Sequence, residues 1–270
     1  MITEQLLKDT ADFEGAKLRV SRWLERTAKN PDVLVRSFNH YAKWNSYFAG
    51  GVAQLVANIA TAEELFMEPN QPKALADRAQ YIASFIFDAA RDEFDDHINR
   101  QRDPHRSLAQ AMLSGMATKF DLMQVLDEDY PDWLLQLCDD VVPSYGGSDN
   151  MYEIDSIFFG MGYHLGSELL ADQEFSIIDR YMRTAETELF EYLKTNTTHL
   201  ADSDHRDYAW IGVHSALGGG AEADHFAWAL EGINKALELQ GDLKDRCMET
   251  LLEGFQRFEA DHDFFFADEA

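Results

Sequence analysis

The chain has 270 residues, 46% hydrophobic and 12% aromatic, enough to bury one large core. Its 49 acidic against 23 basic residues give a formal charge of -26, which repels nucleic-acid phosphates and anionic membrane surfaces and argues against both as partners. Cys138 and Cys247 are too few and too far apart for a disulfide framework or thiolate cluster. With no basic-flanked apolar leader and no bilayer-length apolar run, the expectation is a soluble, cytoplasmic, single-domain protein.

From Thr3 to Asn30 the apolar positions Leu6, Leu7, Phe13, Ala16, Val20 and Leu24 recur at helical spacing, predicting an N-terminal helical extension over 1–30, interrupted near Gly15. Residues 32–66 predict a central helix with Phe38, Tyr41, Phe48, Val52, Leu55 and Ile59 on one face, and Gly50-Gly51 marks a close neighbour or a kink. Residues 73–97 predict the next helix, with Leu75, Ala79, Ile82, Ile86, Phe87 and Ala90 inward. Asp103-Pro104 then reads as a side-chain cap and first-turn proline, which puts His105 in the first turn of a helix reaching Met116. Further helices are expected over 120–126 and 132–141, and a loop over 143–149. Residues 150–170 are apolar nearly all round, the mark of a buried helix. Amphipathic helices over 175–193 and 226–258 follow, and 259–270 reads as an acidic tail. No alternating strand pattern stands out. The fold class is all-α.

Three stretches group residues that can carry chemistry. Glu93 near the end of one helix and His105 at the start of the next can converge, whereas Asp92, Asp95, Asp96 and His97 read as a solvated helix end. His164 and Glu168 stand four apart on the apolar helix, with Glu174 beyond; a carboxylate buried there needs a charge partner or a metal, or else a local His-Glu hydrogen bond. The third is WIGVHSALGGGAEADHFAWAL, Trp210 to Leu230, with His214, Glu222 and His225. Glu222 and His225, three apart, share one helix face and can share one ion; the structural alternative is a glycine-mediated helix crossing. A second EADH, Glu259 to His262, lies in the expected tail and is discounted as a ligand pair.

At these residues the chain resembles the iron-containing redox enzymes of the heme-oxygenase-like di-iron oxidase and oxygenase superfamily. The resemblance implies a heme-oxygenase-like helical bundle of about seven to nine helices. In that superfamily the ligands run Glu, His, a middle Glu, then His-x-x-x-Asp/Glu-x-x-His. Glu93 and His105 resemble the first pair, Glu168 the middle Glu, and Glu222 and His225 the end of the late motif. Gly218 stands where that motif has its first His. His214, one turn earlier and about 12 Å from Glu222 along a regular helix, replaces it only if Gly218-Gly219-Gly220 breaks the helix.

The resemblance implies two Fe(II) ions, O2 as co-substrate and a small organic substrate. Trp44, Phe48, Phe159, Tyr163, Trp210 and Trp228 are candidates to line its pocket, although such residues equally build cores. The alternatives are a metal-free thiaminase-like enzyme of the same fold with a Cys nucleophile, and a non-enzymatic acidic helical interaction protein. A homodimer is an open alternative to a monomer.

Overall fold

A computed structural model of the chain describes residues 1–95, 103–146, 153–215 and 222–267, with Glu222 and Ala223 described in their backbone alone. Among the described residues the regular structure is helical apart from one short hairpin and an isolated bridge between Met67 and Asp77. In order they form α1 (Glu4–Thr10), α2 (Phe13–Thr27), α3 (Pro31–Asn45), α4 (Phe48–Thr61), α5 (Lys73–Ala76), α6 (Ala79–Phe94), α7 (His105–Phe120), α8 (Asp132–Gly146), α9 (Glu153–Thr184), α10 (Thr187–Thr195), β1 (Thr197–Leu200), β2 (Ser203–Arg206), α11 (Ala209–His214), α12 (Glu222–Glu238) and α13 (Lys244–Phe265). No helix among them is long and apolar enough to cross a membrane.

The centre is α9, whose Phe158, Met161, Leu165, Leu170, Phe175, Ile178 and Met182 are all buried. It packs most extensively on α13 and also touches α2, α4, α8, α11 and α12, while α4 and α12 flank α6. The α9–α13 crossing is close because glycines face backbone. A methyl group at Gly162 would stand 1.8 Å from the Leu251 carbonyl oxygen, and one at Gly254 2.0 Å from that of Phe159. The N-terminal helices are packed into the same core through Leu7, Val20 and Leu24, and the Ile2 backbone exchanges two hydrogen bonds with Asn234 of α12.

Several expected units are divided differently. The helix expected over 32–66 breaks at Ser46, whose hydroxyl bonds the Lys43 carbonyl and closes α3; Gly51 instead faces the Tyr145 ring. The N-terminal interruption falls at Ala11-Asp12, where Asp12 caps α2 through the Gly15 N–H. The helix expected over 150–170, as far as it is described, and the first part of that expected over 175–193 are one, α9, because the polar ADQE step contains no breaker and Glu174 finds buried partners; the rest of the second is α10. The helix expected over 226–258 splits where Gly241 takes φ +52°. Its second half continues through the expected tail to Phe265, burying Asp261, His262 and Phe265.

Pro143, expected in a loop, lies inside α8, one turn from its end, where few intrahelical bonds remain to be lost. The helix expected over 120–126 is a left-handed Asp121 followed by a 3-10 turn, Met123–Asp127. The strands went unseen because four residues are too short for an alternating pattern to declare itself. Asp103 does not cap α7: Pro104 occupies the N-cap, and the Asp103 carboxylate stands 3.3 Å from His205 of β2. Leu75 and Phe87, expected inward, are 64% and 51% exposed.

Candidate functional site

Glu93, His105, Glu168, His214 and His225 line one cavity of about 40 Å³, with Glu174, Ser167 and the aromatics Trp44, Phe48, Tyr145, Phe175 and Phe258 in its walls. Glu93 comes from the last turn of α6, His105 from the first residue of α7 and Glu168 from mid-α9. His214 is the last residue of α11 and His225 lies in the first turn of α12. The chain thus brings five side chains from five helices to one place.

The late stretch is two helices. After His214 the backbone at Ser215 is extended, and helix resumes at Glu222. The continuous helix that would have carried His214 away from the cavity is absent. Gly218, Gly219 and Gly220 lie outside the described residues, as do Asp96 and His97, and Glu222 is described only as the first helical residue of α12.

The donors meet in pairs. His214 Nε2 stands 3.1 Å from His105 Nδ1, and His105 Nδ1 stands 3.5 Å from Glu93 Oε2. His214 Nδ1 lies 2.6 Å from the Trp210 carbonyl oxygen. A carbonyl only accepts, so Nδ1 carries the proton, and Nε2 is the nitrogen turned to His105. The Phe175 ring, stacked on His214 at 4.3 Å between centroids, fixes the imidazole plane.

On the opposite side His225 Nδ1 lies 3.7 Å from Glu168 Oε2, and His225 Nε2 lies 2.9 Å from Asp92 Oδ2. Asp92, read from sequence as part of a solvated helix end, is therefore the carboxylate that orients His225. Glu168 also stands 3.4 Å from Nδ1 of fully buried His164, so the local His-Glu contact exists beside the cavity-lining role. No three such side chains among the described residues converge as a finished metal cage does.

The discounted EADH also reaches this region. His262 is fully buried, with Nε2 2.9 Å from Glu174 Oε2, and the Tyr41 hydroxyl donates to Glu174 Oε1 at 2.6 Å. Burial alone would lower the His262 pKa, but the Asp263 and Glu174 carboxylates outweigh it and hold the imidazole above its ordinary value. One signal pointed to this residue: His262 shares a helix face with Phe255, Phe258 and Phe266, an apolar stripe that a solvated tail would not have. Asp92 gave no comparable signal, because only the docking of α12 on α6 supplies its partner.

Of the aromatics proposed for a pocket, Trp44 and Phe48 line this cavity. Trp210 lines a neighbouring compartment of about 150 Å³ that shares Asn45, Glu93, His105 and His214 with it. Tyr163 is a core residue donating to Asp261, and Trp228 is 51% exposed. Cys138 and Cys247 are buried on α8 and α13 away from both spaces, and burial pushes each thiol up to about 11. Such thiols stay protonated and are poor nucleophiles.

Comparison with protein-family models, curated proteins and solved structures finds no match to this chain.

Proposed function

We propose that the chain is a non-heme iron oxidase or oxygenase of heme-oxygenase-like fold, binding two Fe(II) ions and activating O2 against a small organic molecule. The observation that carries this reading is the convergence of Glu93, His105, Glu168, His214 and His225, chosen on sequence order alone, on one cavity. Glu222, first residue of the helix that carries His225, completes the proposed ligand set.

The donor chemistry fits. Imidazole nitrogens and carboxylates suit iron, and separations of 3.1 and 3.5 Å between lining donors are those of neighbours that one cation can share. Bound iron would supply one-electron redox chemistry toward O2. The chain's own part is positioning. The Trp210 carbonyl fixes the His214 tautomer, Asp92 holds His225 by Nε2 and leaves Nδ1 toward Glu168, and Trp44, Phe48 and Phe258 exclude water. The raised thiols of Cys138 and Cys247 weigh against a Cys nucleophile of the thiaminase-like kind.

Anaerobic Fe(II) titration tests the reading. About two ions per chain are expected for the wild type, with a marked loss in Glu93→Ala, Glu168→Ala and His225→Ala, since each removes a first ligand. Iron content indifferent to all three substitutions would return the chain to a helical interaction protein.

A further inference from the structure

The larger compartment beside the cavity has its own chemistry. Its walls include Ala42, Ala49, Phe94, Ala109 and Trp210, and it shares Glu93, His105 and His214 with the donor cavity. Among the described residues of this wall, one is an arginine or lysine, Arg106. In an acid-rich chain most arginines near the core find a carboxylate: Arg36 pairs with Asp32 and Glu128, Arg183 with Asp179, Arg257 with Asp261. Arg106 has no carboxylate partner among the described residues. Its guanidinium donates from Nη1 to the Ala42 carbonyl at 2.8 Å, which anchors the group and leaves further N–H donors for a ligand.

A second feature has the same sign. Pro104 and His105 belong to the same wall and begin α7, a 16-residue helix with no side-chain cap on its N-terminus. The positive end of its dipole therefore adds to the Arg106 charge. Glu93 in the same wall opposes a second negative charge. An apolar part of the wall (Ala42, Ala49, Phe94, Ala109 and Trp210), a polar part with Asn45 and Ser46, and the Arg106 guanidinium with a helix N-terminus beside one carboxylate suit, among the described residues, a monoanion with an apolar body.

We propose that this compartment binds a small organic monocarboxylate, its carboxylate on Arg106 and its apolar body against Trp210 and Phe94, next to the proposed iron ligands. The proposal deepens the iron reading and rests on it for the fate of the ligand, but the binding step is separable from the metal. A volume of about 150 Å³ is that of a space that takes a benzene-sized body, so benzoate is the probe, with benzamide and benzylamine as its neutral and cationic counterparts.

Isothermal titration of the metal-free full chain should give benzoate binding about tenfold or more tighter than benzamide, a charge-assisted bidentate contact against a neutral one. Benzylamine should bind worst. Arg106→Gln should reduce benzoate to the benzamide level, with helical circular dichroism and Fe(II) loading kept, and Arg106→Lys should recover part of the difference. If Arg106→Gln does not fold, added salt must weaken benzoate binding to the wild type more than benzamide binding. Equal affinity for benzoate and benzamide, a preference for benzylamine, an unchanged Arg106→Gln, or no saturable benzoate binding with or without Fe(II) would overturn the proposal. Normal iron loading without benzoate preference would remove this inference alone, whereas benzoate preference in a chain that never holds iron would remove the iron reading alone.

Discussion

His262 sits fully buried between Glu174 and Asp263, with Arg19 beyond Asp263 and Tyr41 on the far oxygen of Glu174. Its pKa in the folded protein lies above the ordinary imidazole value, so folding favours the protonated ring. The stability this contributes is complete below the unfolded pKa of about 6.5 and is lost as pH rises through the raised folded value. Urea unfolding of the wild type and His262→Gln should therefore show a stability gap that is widest in mild acid and narrows as pH rises above about 6.5. A gap that widens with pH would mean that the ring is buried neutral. At this scale the site was legible where residue type and order sufficed, as for Glu93, His105 and Glu168. It was not legible for Asp92, whose partner lies on a helix far away in sequence.

Between elements, the α9–α13 crossing depends on Gly162 and Gly254, each facing the other helix's backbone. Backbone cannot retreat as a flexible side chain can, so Gly162→Ala must push the two helices apart. Overpacking of this kind costs about 1–3 kcal/mol, to be read as a lower urea midpoint with unchanged slope; an unaltered midpoint would show that α13 can shift freely along α9. The periodicity of residues 150–170 foretold a buried helix but not its length. Polar residues such as Gln173, Glu174 and Asp179 broke the apolar pattern, yet they are buried within the same helix. Asp179 is satisfied by Arg183, Tyr208 and Ser215, and Glu174 accepts from the Tyr41 hydroxyl and faces the His262 ring as an ion pair. Periodicity reads polar as exposed, and that equation fails where buried polar groups meet each other. The sequence offered three glycines, which lie outside the described residues, as the place for a break between His214 and Glu222; the described break is at Ser215, whose extended backbone follows His214 and whose hydroxyl is held by Asp179.

For the whole molecule, the formal charge of -26 is a standing repulsion that the folded state concentrates and the unfolded chain relaxes. Ion pairs at the surface return little of this, since exposed pairs contribute about 0–1 kcal/mol. Moderate sodium chloride, with a screening length of about 8–10 Å near physiological strength, should raise the thermal midpoint of the metal-free protein. A midpoint that falls with salt would show that paired charges, not the net excess, dominate.

The five cavity residues come from five helices spread from α6 to α12, and this makes the site a reporter on native topology. A compact intermediate that forms its helices before docking them would keep the far-ultraviolet signal of the native chain and hold none of these side chains together. Contacts so distant in sequence close late, because the loop entropy between them is spent before any of them is rewarded. Whatever ligand the cavity takes would then bind the finished tertiary structure alone, and its occupancy during refolding would time the last docking event rather than the first helix.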